Sequence, residues 1–173
     1  DFHLLIVDDC STDDSIVRVE SFFKTNPRQF ELQRLDINQG IAHARQWTLT
    51  HATTKYLLFI DADDCPLPTL LEKEYAAIEQ DANLIAVSSW LQFIDKNAHP
   101  IKGGLFMGAQ TKDEFMRQAE SAKRIFLPIQ TLFDRECALR VGGFNLEGFP
   151  EGKPRYRDFC EDLDLWTRMS DLY

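Results

Sequence analysis

The sequence predicts an α/β domain with a mostly parallel central sheet. Three observations carry this. Short apolar runs alternate with segments whose apolar residues recur at helical spacing, in the order strand, helix, strand, helix, strand, helix. The first and third runs are almost wholly apolar, as strands buried on both faces are. Both runs end in aspartates, Asp8-Asp9 and Asp61-Ala62-Asp63-Asp64. Ligands of open parallel sheets bind beyond the carboxyl ends of the strands, so both clusters fall where a site is expected.

Phe2-His3-Leu4-Leu5-Ile6-Val7 is the first strand. Ser11-Thr12-Asp13-Asp14 suits a helix cap, and Ile16, Val19 and Phe23 follow at helical spacing until Asn26-Pro27. Phe30 to Leu35 reads as the second strand and Asn38-Gln39-Gly40 as a turn. Ile41 to Ala52 reads as a helix with Ile41, Ala44, Thr48 and Leu49 on one side. Tyr56-Leu57-Leu58-Phe59-Ile60 is the third strand. Pro66 and Pro68 stand where a helix starts, and Leu67, Leu70, Leu71, Tyr75 and Ile78 mark its apolar face. Leu84 to Ile94 is predicted as one strand, which turns at Asp95-Lys96-Asn97-Ala98 and returns through His99 to Met107. A helix over Lys112 to Glu120 precedes an extended stretch from Ile125 to Phe133. Arg135 to Val141 reads as a helix ending at Gly142-Gly143, Phe149 to Arg157 as a loop, and Glu161 to Asp171 as a closing helix.

The composition excludes several classes. The 173 residues are 44% hydrophobic and 27% charged, ordinary for one globular domain. Eight glycines and seven prolines are too few for a fibrous chain. No apolar run approaches the ~18 residues of a membrane span. With 28 Asp+Glu against 19 Lys+Arg, a net charge of −9, no nucleic-acid partner is expected, because phosphate binding needs clustered Lys and Arg. Cys10, Cys65, Cys137 and Cys160 form no CxxC pair and are too sparse for a disulfide scaffold, which fits reduced thiols in a cytoplasmic setting. The chain enters a strand pattern at Asp1 with no Met or signal-like segment, so an N-terminally incomplete domain is expected.

Carboxylates one residue apart at a strand end, as Asp61 and Asp63 are, can offer oxygens to one hard cation such as Mg²⁺ or Mn²⁺. The same residues read equally well as an acidic turn before a proline-initiated helix. Asp8-Asp9-Cys10-Ser11-Thr12-Asp13 either caps the next helix or faces a ligand, and the second cluster favours the ligand. Asn38-Gln39-Gly40 with Arg45 reads alone as a turn and a solvated arginine. Glu161-Asp162-Leu163-Asp164 sets three carboxylates at a helix start, where the dipole stabilises them. Asp162 and Trp166, four apart, share a helical face, an acid beside an indole.

Taken together, five segments resemble the nucleotide-sugar glycosyltransferases of family 2. They are Ile6-Val7-Asp8-Asp9-Cys10-Ser11-Thr12-Asp13, Asn38-Gln39-Gly40-Ile41-Ala42-His43-Ala44-Arg45, Phe59-Ile60-Asp61-Ala62-Asp63-Asp64, Val141-Gly142-Gly143-Phe144 and Glu161-Asp162-Leu163-Asp164-Leu165-Trp166-Thr167-Arg168. The resemblance implies the GT-A fold, a Rossmann-like sheet flanked by helices in a three-layer sandwich. It implies one catalytic domain over residues 1–173 that lacks the family's first strand and helix. About 1–80 would form the nucleotide-binding half and 81–173 the acceptor-binding half. The implied reaction is an inverting, hexosyl-type transfer from a nucleoside-diphosphate sugar, a UDP-sugar, to an acceptor hydroxyl, with Mn²⁺ or Mg²⁺.

By the same resemblance, Asp8, Asp9, Ser11, Gly40, Arg45, Asp61 and Asp63 would bind the nucleotide, Asp9 through uracil N3–H. Asp61-Ala62-Asp63 would be the DxD element, and Asp63 and Asp64 would hold the cation. Asp162 would be the general base, with Gly143, Glu161 and Trp166 on the acceptor side. Donor choice would depend on loops around Trp90, Gln92 and Arg135. The acceptor would be a growing polysaccharide, a lipid-linked sugar or a protein, with Lys153, Arg155 and Arg157 as a basic patch nearby. The setting would be the cytoplasm or the cytoplasmic face of a membrane, reached through regions outside this chain. Cys10 departs from the family's usual Gly, and the chain stops before any C-terminal His ligand. Two alternatives compete. A haloacid-dehalogenase-type phosphohydrolase also places Asp-x-Asp after a strand, but Cys65 stands where Thr or Val is expected and the motif ends the third strand. A non-catalytic sugar- or nucleotide-binding module of the same fold is the other.

Overall fold

The computed structural model describes residues 1–120, 130–147 and 161–172. In chain order its elements are β1 (Leu5–Asp8), α1 (Ser15–Thr25), β2 (Glu31–Arg34), α2 (Ile41–His51), β3 (Tyr56–Leu58), α3 (Leu70–Ile78), β4 (Ala86–Ser88), β5 (Leu91–Ile94), β6 (Pro100–Phe106), α4 (Lys112–Glu120), β7 (Thr131–Asp134), α5 (Arg135–Arg140) and α6 (Glu161–Leu172). The α/β class is as predicted, and the strands are shorter than their apolar runs. The loop Phe149 to Arg157 with its basic patch, Cys160, and 125–129 of the expected extended stretch lie outside the described residues.

β1 and β2 pair in parallel across the α1 crossover, with Leu5 opposite Glu31 and Asp8 opposite Arg34. Phe23 of α1 stacks on Phe30 at 4.0 Å between ring centroids, tying the helix to the start of β2. β7 lies between β3 and β4, antiparallel to both. The two therefore run in the same direction, but with the late strand between them every pairing in this three-stranded sheet is antiparallel.

Two expectations need correction. Leu84 to Ile94 is not one strand. It divides into β4, which pairs with β7, and β5, which pairs with β6. The break falls at Ser89-Trp90. Ser89 Oγ donates to the Glu74 carboxylate at 2.7 Å, Trp90 is exposed, and the run changes hydrogen-bonding partner. On α3, Leu67 precedes the helix and is exposed, as is Tyr75, while the buried residues are Glu74 and Ile78. The apolar face is therefore narrower than its spacing suggests and has a carboxylate in it.

The core joins Leu49 of α2, Phe133 of β7, Cys137 and Ala138 of α5, Phe144, and Leu165, Trp166 and Met169 of α6. Trp166 meets Phe133 edge-on at 5.0 Å, and Phe59, just past β3, stacks on Phe133 at 5.9 Å. Packing of this kind fixes elements against one another. It holds the end of β3, helix α2 and the start of α6 in one rigid group.

Candidate active site

At the end of β1 the backbone turns back through Cys10, whose φ of 60° is left-handed. This lets the Ser11 N–H donate to Asp8 Oδ2 at 3.1 Å. The same oxygen lies 3.4 Å from Arg34 Nε, and Asp8 is buried. Arg34 Nη2 also donates to the Ser11 carbonyl at 2.9 Å. Asp9 accepts from the Gln39 and Gly40 N–H groups at 3.1 and 2.7 Å. Gly40 has a φ of 91° and precedes α2, so Asp9 holds the turn from which α2 starts.

The end of β3 is built differently. One ligand atom each from Asp61, Asp63 and Asp64 lies within 4.8 Å of the others, and Asp63 and Asp64 are exposed. Asp61 meets Arg45, and Asp64 accepts from Gln130 Nε2. Burial pushes the Asp64 carboxyl above its usual range, and the nearby charges of Asp61 and Asp63 push it further. These are hard oxygen donors in mutual repulsion, and no cation faces Asp63 or Asp64 among the described residues. That chemistry fits a divalent ion.

Arg45 reaches across the site. It is 6% exposed, so the arginine that reads alone as solvated is a buried one. Nη2 donates to Asp61 Oδ1 at 2.8 Å and Nη1 donates to Glu161 Oε1. Glu161, the first residue of α6, is buried. Its neighbour Asp162 is part-buried, and Oδ1 accepts from the Leu163 N–H at 2.7 Å. Burial raises the proton affinity of both Glu161 and Asp162, while the Arg45 charge opposes the rise.

The remaining predicted residues have structural partners. Trp166 is 3% exposed and belongs to the core, which corrects its placement on an open acceptor face. Gly143, at φ 71°, packs against the Gln46 amide, which a Cβ would strike, and Gln46 Oε1 accepts from the Phe144 N–H at 2.8 Å. Arg135 donates to the Leu49 and Thr50 carbonyls, closing α2 at its C-terminal end. Gln92 donates to the Phe93 and Ile101 carbonyls inside the β5–β6 hairpin. Sequence reasoning passed over Gln46, Gln130 and Arg168. Arg168 pairs with Asp164 and donates to the Val141 and Gly143 carbonyls, linking α6 to the glycine turn. Its i,i+4 spacing from Asp164 was the available signal. Nothing local marks Gln130, whose partner is 66 residues away.

Solved structures define the class. The mannosyltransferase PcManGT from Pyrobaculum calidifontis, in complex with GDP-Man and Mn²⁺, aligns with a TM-score of 0.58 and 26% identity, over 84% of this chain and 39% of that one. S. aureus TarS in complex with UDP aligns with a TM-score of 0.62 and 20% identity, over 84% of this chain and 41% of that one. The fold is thus the GT-A glycosyltransferase fold, as predicted. The Glycosyl transferase family 2 model matches residues 1–142, and the chain belongs to that family. The putative glycosyltransferase EpsE of Bacillus subtilis (strain 168) is 25% identical over 168 residues, 97% of this chain and 56% of EpsE. The chain spans about half, or less, of the length of these three relatives. Among the described residues no helix is long and apolar enough to cross a membrane.

Proposed function

We propose that this domain moves a hexosyl group from a UDP-sugar to an acceptor hydroxyl in one displacement that inverts the anomeric carbon. One observation carries the reading: the Asp61, Asp63 and Asp64 cluster is tied through Arg45 to the helix turn that holds Asp162. The UDP bound to TarS and the GDP-Man and Mn²⁺ bound to PcManGT support it. Residues 1–80 would hold the donor. Asp9 keeps lone pairs free for uracil N3–H, and Asp8, Ser11 and Gly40 hold the loop around it. Residues 81–173 would meet the acceptor, a growing polysaccharide, a lipid-linked sugar or a protein.

Asp63 and Asp64 would hold Mn²⁺ or Mg²⁺, which when bound supplies positive charge to the leaving diphosphate. Asp162 takes the proton of the acceptor hydroxyl as its oxygen bonds to the anomeric carbon. The bond from that carbon to the diphosphate oxygen breaks, and its electron pair leaves with the diphosphate. Burial makes the Asp162 carboxylate the more basic, which suits that role.

The test is calorimetric titration of UDP into the intact protein with and without Mn²⁺. Wild-type protein should bind UDP in a Mn²⁺-dependent manner, and Asp63→Ala should lose that dependence. Unchanged Mn²⁺-stimulated binding in the variant would refute the metal assignment. Asp162→Asn should bind UDP normally yet transfer ~10²–10⁴-fold more slowly.

A further inference from the structure

The buried position of Arg45 calls for an explanation that nucleotide binding does not supply. Its guanidinium is shared by two carboxylates from opposite sides of the site, Asp61 after β3 and Glu161 at the start of α6. With 6% of the residue exposed, it has almost no surface left for a solvent-borne ligand. Its carbon Cζ also lies 6.0 Å from the Phe59 ring centroid, against the core. A buried arginine is retained where its planar fork can satisfy two acceptors at once, which a lysine cannot do. Glu161 is enclosed to a similar degree. It is 9% exposed, and its second oxygen, Oε2, is buried with no hydrogen-bond partner among the described residues. Losing Arg45 would therefore leave a buried carboxylate uncompensated, and the first turn of α6 would shift to relieve it.

Geometry gives the consequence. α2 begins at the turn held by Asp9 and carries Arg45 five residues beyond Gly40, about 7.5 Å along the helix. One rigid helix thus touches the β1 loop at its start and the β3 and α6 carboxylates farther on. Asp63 and Asp64 lie two and three residues beyond Asp61, and Asp162 lies one beyond Glu161.

We infer that Arg45 is a positioning residue that clamps Asp61 to Glu161 and so sets the separation between the Asp63–Asp64 carboxylates and Asp162. This rests on the reading of Asp162 as the general base. An in-line displacement needs the donor and the proton acceptor on opposite sides of the anomeric carbon at fixed spacing. A misplacement of about 1 Å can cost ~10²-fold in rate. A clamp of this kind acts on turnover and leaves donor affinity nearly untouched.

The experiment measures kcat for transfer and the Kd of UDP with Mn²⁺ in the intact protein for Arg45→Lys, Glu161→Gln and the double variant. Lysine keeps the charge and most of the stem but cannot fork to both carboxylates. Arg45→Lys should lower kcat about 10- to 100-fold with the UDP Kd within about threefold of wild type. Glu161→Gln breaks the same link from the other end with a side chain of the same shape, so the inference stays testable if Arg45→Lys does not fold. The double variant should be little worse than the poorer single one, since both remove one connection. Unchanged kcat in both single variants overturns the inference. So does a loss of UDP affinity as large as the loss of kcat, which would mark Arg45 as a nucleotide contact. Asp162→Asn separates the two readings. If it turns over normally, the base assignment fails whatever Arg45 does. If it is inactive while Arg45→Lys and Glu161→Gln both run at full rate, only the clamp fails.

Discussion

Two acidic strand ends in this chain use their carboxylates in opposite ways. After β1, Asp8 and Asp9 accept from three backbone N–H groups, those of Ser11, Gln39 and Gly40, and Asp8 also faces Arg34. After β3, Asp63 and Asp64 are exposed, and Asp64 meets only the neutral Gln130 amide together with the negative charges of its neighbours. The first cluster is held by the protein's own donors and shapes the loop proposed to take the base. The second keeps its repulsion, which a bound cation can relieve. Similar Asp-rich strings thus do different work, and the difference is visible in what each oxygen touches.

Glu74 on α3 is a third arrangement and should give the largest stability effect. It is 2% exposed and accepts from Ser89 Oγ at 2.7 Å, with no cation paired to it among the described residues. Burial pushes its carboxyl up to about 7 from the usual 4.5. The folded protein therefore binds this proton more tightly than the unfolded chain does. The resulting stability is complete below pH 4.5 and is lost as pH rises to about 7, a span worth about 3 kcal/mol. Glu74→Gln removes the charge but keeps the shape. Urea unfolding from pH 5 to 8 should show wild type losing stability toward pH 7 and the variant losing about 2–3 kcal/mol less. Parallel curves would show that Glu74 stays ionised in the fold.

Next in size is the contrast between the two strand ends. Asp9→Asn places an NH₂ group where an oxygen now accepts from Gln39 or Gly40. It should cost about 1–2 kcal/mol, the range for a lost charge-assisted bond near the surface. Asp63→Asn should change stability by no more than about 0.5 kcal/mol, since it removes an exposed charge from a repelling cluster. Equal losses in chemical denaturation of the two variants would break the distinction between a cluster that braces its own loop and one left in repulsion.

How much of this was legible depends on distance along the chain. Tyr56-Leu57-Leu58-Phe59-Ile60 announces a strand end because apolar continuity is local, and the Asp cluster after it inherits its place. The five motifs in order suffice for the GT-A class. What Arg45 does is not local. Its partners are 16 and 116 residues away, and on a helix carrying Gln46, Thr48 and Thr50 an arginine looks solvated. Trp166 misleads for the converse reason. Its spacing from Asp162 is right for a shared face, but its own ring packs into the core beside Phe133. The burial of Glu74 was equally hidden, because spacing alone spread the apolar face to Leu67 and Tyr75.

The smallest effect isolates the backbone of the β1 end from its charges. Cys10 holds a φ of 60°, where an L-residue with a Cβ costs roughly 1–2 kcal/mol. The turn needs that angle, because it brings the Ser11 N–H back to Asp8. Glycine adopts it freely but leaves the unfolded chain with more freedom, a loss of roughly 0.5–1 kcal/mol. The Cys10 thiol adds only a long contact to the Asp36 carbonyl, at 3.6 Å. Cys10→Gly should therefore raise stability by about 0.5 kcal/mol. Cys10→Ala keeps the strain, loses the sulfur contact and should show no gain. If glycine destabilises, or alanine gains as much as glycine, the left-handed turn is not what costs this loop its stability. The difference between the two strand ends would then reduce to how their carboxylates are paired.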